Sequence, residues 1–169
     1  MPTGSTISDW QADLKQILQS SSNHMIVLIG VGHPLRGDDY VGSYVIKEFK
    51  QLDKPENVLI FDAEDSVESI ITKAAEARPK HVIFVDSCEM NASPGQIHLI
   101  SVAETDYPFF TTHGIPLKLL SGRILPESEA WMLAVQPKQV EFSESMSFEI
   151  SEAGNSISQF ISRILLEAN

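Results

Sequence analysis

The spacing of apolar residues changes period along the chain, and each change marks an element. Trp10, Leu14, Ile17 and Leu18 fall on one helical face behind a capping-box pattern of Ser8 and Gln11, which predicts an opening amphipathic helix. A polar stretch at 20–23 joins it to an unbroken apolar run of strand length at 25–29. A glycine-rich loop follows, and Val41, Val45 and Phe49 then return to helical spacing. The same change recurs: residues 58–61 read as a strand, Asp65 and Glu68 as capping acids, and the segment to 77 as a helix. Residues 81–85, after Pro79, predict a third strand.

Further on, Ser93, Pro94 and Gly95 make a turn, and residues 96–102 alternate polar and apolar as an edge or antiparallel strand does. Pro116 can open a short helix through 120, and residues 130–135 supply another strand. Ile150, Ile157, Phe160, Ile161, Ile164 and Leu165 form the stripe of a closing helix over about 147–167, whose first half Gly154 weakens. Strands alternating with helices predict an α/β three-layer sandwich, with a mostly parallel central sheet of about five strands flanked by helices. Ligands of such sheets meet the carboxyl ends of the strands. The expected organisation is a helical extension over 1–24 packed on a single α/β domain over 25–169.

Composition narrows the setting. A hydrophobic content of 43% in 169 residues supports one substantial core without cross-links, and Cys88, the single cysteine, cannot form an internal disulfide. The longest apolar run, 25–31, falls far short of the roughly 20 residues that span a bilayer. Asp9, Asp13 and several serines stand where a secretion signal needs a basic start and an apolar stretch. The expectation is a cytoplasmic protein with no membrane insertion. A formal net charge of −11 would repel a phosphate backbone, so nucleic acid is not an expected partner.

Candidate chemistry sits where strands end. The loop GVGHPLRGDDYVG, residues 30–42, invites a dinucleotide reading, but Leu35 stands where the third fingerprint glycine belongs, and Asp38 and Asp39 would repel a pyrophosphate. A nucleotide or small-ligand binding module stays open as the non-enzymatic alternative. Asp38 suits a helix N-cap, leaving Asp39 spare, although both acids can serve the helix start alone. Asp86 closes the strand VIFVD, and His113 lies in FFTTHGIP before a helix start. Each alone has an ordinary structural reading. Together, two carboxylates and a neutral imidazole offer hard and borderline donors with coordination positions left open, which suits a working metal better than a closed structural zinc.

His24, His81 and His98 occupy ordinary polar positions, whereas His33 lies in a loop able to turn its ring toward Asp39. A competing hydrolytic arrangement would use Cys88 as nucleophile, His113 as its base and Asp86 to orient the ring. A small buried cysteine explains Cys88 equally well.

The segments GVGHPLRGDD, VIFVDSCEMNASPGQIHLI, TTHGIPL and VQP occur in this order, and the chain from Met25 to the last helix resembles the hydrogenase maturation endopeptidases, which trim the large subunit of nickel-iron hydrogenases. The resemblance implies that fold and an endopeptidase activity. It also implies three residues that contact the metal and carry catalysis, here Asp39, Asp86 and His113. The implied substrate is a nickel-loaded large-subunit precursor that loses a C-terminal extension, with nickel supplied by the precursor and held weakly by the free enzyme. Two positions depart from the family's pattern: His33 replaces a common asparagine after Gly-x-Gly, and Tyr40 replaces a common glycine after the acidic pair.

Overall fold

Helix α1, Trp10–Gln19, opens the part of the chain described by the computed structural model, which covers residues 9–20, 23–104, 117–139 and 142–167. Its cap is Asp9, whose carboxylate accepts from the N–H groups of Gln11 and Ala12, one residue later than the expected Ser8, which lies outside the described residues. Leu14, Ile17 and Leu18 enter the core, and Trp10 meets Phe160 edge to face.

The sheet contains β1 (Ile26–Val31), β2 (Val58–Glu64), β3 (His81–Ser87), β4 (Ile97–Ser101) and β5 (Glu129–Val135), in the order β2-β1-β3-β5-β4. All neighbours are parallel except β4, the alternating segment, which runs antiparallel to β5 at one edge. The apolar runs of β1 and β3 are buried throughout, as strands covered on both faces must be.

Alternation then sorts the core into two layers. Ile26 and Leu28 of β1 and Ile83 and Val85 of β3 pack with α1, α2 (Val41–Phe49) and α5 (Phe148–Glu167). Val27 and Ile29, with Val82 and Phe84, pack against α3 (Val67–Ala75) and α4 (Leu117–Ile124) on the other face. The three-layer sandwich is therefore present.

Local details differ from expectation for identifiable reasons. The N-cap position of α3 is Ser66, which makes no side-chain capping bond, instead of Asp65. Helix α4 runs beyond 120 to Ile124, because Ser121 and the following Leu125 are also buried and Ile124 packs on the second layer. Gly154 also has a packing role: a Cβ there would lie 3.1 Å from the Tyr44 ring, so the missing side chain lets α5 approach α2.

The strand order places a switch point between β1 and β3. From β1 the chain passes through α2 to β2 on one side, while β3 leads toward β4 and β5 on the other. Both connections consequently depart from the carboxyl ends of β1 and β3, where ligands of such sheets are met.

Candidate active site

After β1 the chain doubles back through one 3₁₀ turn, Gly37–Tyr40, directly into α2. Two glycines permit so tight a return. A Cβ on Gly42 would collide with the carbonyl oxygens of Val31 and Val85, so the helix start lies directly on the ends of β1 and β3. Gly32 has a φ of 140°, and a Cβ there would strike the Asp39 carbonyl. The protein's own backbone thus fills the space beside these glycines that a dinucleotide phosphate would need, and two carboxylates follow it.

The adjacent acids divide their roles. Asp38 is fully buried and accepts from the N–H groups of Lys138 (2.9 Å), Gln139 (2.8 Å) and Ser147 (2.6 Å) and from the Ser147 hydroxyl (3.0 Å). It does not cap a helix; it ties the segment before α5 to the loop after β1. Gly37 N–H to Ser143 O and Ser143 N–H to Leu35 O reinforce that tie. The Asp39 side chain is left to face the sheet edge, half-buried.

Asp39 and Asp86 meet through Ser87. The Ser87 hydroxyl donates to Asp39 Oδ1 at 2.9 Å, and the Ser87 N–H donates to Asp86 Oδ1 at 2.8 Å. Alternation along β3 turns the Ser87 side chain to the α2 face, like Val85, and gives Asp86 the face of Phe84. The two carboxylates therefore reach the strand end from opposite faces. Asp86 is only 1% exposed. Burial pushes its carboxyl well above the ordinary range, the Asp39 charge pushes it further, and the Ser87 N–H opposes both. One acid favours its protonated form beside a more accessible one, an arrangement suited to proton exchange.

Cys88 is fully buried in the second layer, and its thiol is pushed up to about 12 by burial and by the charges of Asp86 and Glu89. A thiol so reluctant to ionise is a poor nucleophile, which sets the cysteine mechanism aside. His33 turns inward on its own loop: Nδ1 accepts from the Leu35 N–H at 3.1 Å, the bond to the second residue on that an asparagine makes in an Asx turn. The histidine therefore preserves the turn. Tyr40 packs edge to face on Tyr44 and accepts from Lys47 Nζ at 3.1 Å. His113 lies outside the described residues. Among the described residues, no three His, Cys, Asp or Glu side chains gather as a metal cage.

Three contributors were not singled out from the sequence: Ser87, Gln136 and Asp62. The Gln136 side chain accepts from the N–H groups of Met90 and Ala92 and donates to Glu89 and to the Pro137 carbonyl. The VQP segment thereby pins the loop that leaves β3. Asp62, near the end of β2, lies 2.7 Å from the Ser43 hydroxyl and 3.9 Å from Lys47 Nζ. A polar residue directly after a strand-end acid was the available signal for Ser87.

The profile of the hydrogenase maturation protease family matches residues 43–165. The hydrogenase 3 maturation protease of Escherichia coli K12 is 30% identical, over 79% of this chain and 86% of its own. A crystal structure of a NiFe-hydrogenase maturation protease from Thermococcus kodakarensis KOD1 superposes with a TM-score of 0.81 at 28% identity, over 91% of this chain and 99% of that one. An Escherichia coli endopeptidase solved in solution gives 0.70 at 28% identity, over 80% and 87%.

Proposed function

Because the chain belongs to the hydrogenase maturation proteases, we propose that it removes the C-terminal extension from a nickel-loaded large-subunit precursor of a nickel-iron hydrogenase. The observation that carries this reading is the pair Asp39 and Asp86, joined through Ser87 at the switch point of the sheet. Peptide hydrolysis needs a group that takes a proton from the attacking water and one that returns a proton to the departing nitrogen. Asp39 or Asp86, at the end of the sheet, is placed to accept the proton from the attacking water and to pass it on to the nitrogen.

Nickel enters as the cargo of the precursor. Asp39, Asp86 and His113 are the residues that meet it, and two carboxylates with one imidazole leave coordination positions for ligands from the precursor. The free enzyme accordingly holds nickel weakly, and the ion serves as a recognition handle. The setting is cytoplasmic, where a precursor is met before assembly, and the partner is that precursor, not nucleic acid. Among the described residues, no helix is long and apolar enough to cross a membrane.

The test is incubation with matched precursor preparations, with and without bound nickel, followed by mass measurement of the released peptide. Only the nickel-loaded form is cut on this reading. Equal cleavage of both refutes nickel recognition, and cleavage of neither refutes the substrate assignment.

A further inference from the structure

Among the described residues, Ser87 is the one bonded to both carboxylates, and its two bonds leave through different groups: the hydroxyl to Asp39 and the backbone N–H to Asp86. The N–H contact is available to any residue but proline at this position. The hydroxyl contact is not. The serine is fully buried at the carboxyl end of β3, and its hydroxyl is the donor that reaches Asp39 among the described residues. One Asp39 oxygen is committed to it, which restricts rotation of the carboxylate; among the described residues no donor reaches Oδ2, the oxygen left for an incoming group.

We propose that Ser87 is a positioning residue for substrate recognition: by holding Asp39 Oδ1, it presents Oδ2 in a fixed direction to the nickel carried by the precursor. This rests on the reading of Asp39 given above. Ser87 touches neither substrate nor reacting atoms and acts through Asp39. Replacing its hydroxyl should therefore impair the distinction between nickel-loaded and nickel-free precursor, and leave contacts to the polypeptide itself intact.

The measurement is the affinity of the full chain for nickel-loaded and for nickel-free precursor, read as binding so that cleavage is not required. Ser87→Ala is expected to reduce the preference for the loaded form by on the order of 10-fold, with affinity for the nickel-free form unchanged. Ser87→Thr, which keeps the hydroxyl, should restore the preference. Should the extra methyl group prevent Ser87→Thr from folding, a double-mutant cycle serves instead: added to Asp39→Asn, Ser87→Ala should bring no further loss of preference. A preference unchanged in Ser87→Ala overturns the proposal, as does equal weakening toward both precursor forms or a loss fully additive with that of Asp39→Asn. A wild-type protein with no preference for nickel refutes the recognition reading itself, and the role of Ser87 with it.

Discussion

Strand β3 carries a buried titratable group at each end, and the two ends treat their groups differently. At the start, His81 is 4% exposed; its Nδ1 accepts from Trp131 Nε1–H at 3.2 Å, and Glu129 lies 3.7 Å away. Burial lowers the histidine's pKa, and the Glu129 charge works against that shift. At the far end, burial raises the pKa of Asp86, and the Asp39 charge adds to the shift. At the first end the largest neighbouring charge relieves the consequence of burial, against smaller opposing effects of Lys80 and His24; at the second the largest compounds it, and only the Ser87 N–H opposes. Like charges placed together at a strand end mark a candidate for chemistry, whereas an opposite charge beside a buried histidine is what packing alone requires.

The strongest way to break this comparison is to neutralise each end. Asp39→Asn or Asp86→Asn should lower the processing rate by roughly 100-fold or more while melting stays cooperative, and His81→Gln should leave the rate within about twofold. Mass spectrometry of timed precursor digests gives both numbers. Loss of processing in a well-folded His81→Gln protein would erase the distinction. Next in size is Asp38→Ala, which strands three N–H groups and a hydroxyl: about 3 kcal/mol of stability, or roughly 6 to 12 °C in melting temperature, should be lost. Calorimetry showing no loss would mean that the tie between 138–147 and the loop is dispensable.

A finer test uses pH, because the two ends should respond with opposite signs. The raised folded-state pKa of Asp86 means that its contribution is complete below its unfolded value, 3.8, and lost as pH rises through the folded value. The lowered pKa of His81 means that its contribution is complete above 6.5 and lost as pH falls through the folded value. Asp86→Asn should therefore gain in melting temperature relative to wild type as pH rises above 3.8, and His81→Gln should gain as pH falls below 6.5. Parallel slopes would contradict the assignment. The smallest effect belongs to Cys88→Ser, for which timed digests should show an unchanged processing rate; a well-folded but inactive variant would reinstate the thiol mechanism.

What could be read from the sequence follows the range of each interaction. Alternation in 96–102 identifies the antiparallel edge strand, because period two is a local property. Asp39 and Asp86 stand out because they follow apolar strand runs, and a strand's end is also local. The use of Asp38 is hidden, since its donors lie about a hundred residues later and nothing near Asp38 announces them. Ser87 is hidden because its value depends on the face to which β3 turns it, and on which helix covers that face. His81 reads as an ordinary polar strand start, yet the Trp131 indole makes its burial acceptable from a neighbouring strand. Gly154 reads as a weakness of its own helix, and only the Tyr44 ring reveals it as a spacer.

The seating of α2 on the carbonyls of Val31 and Val85 has a thermodynamic consequence. With no side chain between them, the turn bearing Asp39 and the strand end bearing Ser87 and Asp86 are packed backbone against backbone. The freedom lost in aligning these carboxylates is surrendered during folding, before any partner arrives. Any entropy of ordering on binding a precursor then falls on the precursor. The order of the precursor's own segment near the cleavage point should then contribute to how tightly the two chains hold each other.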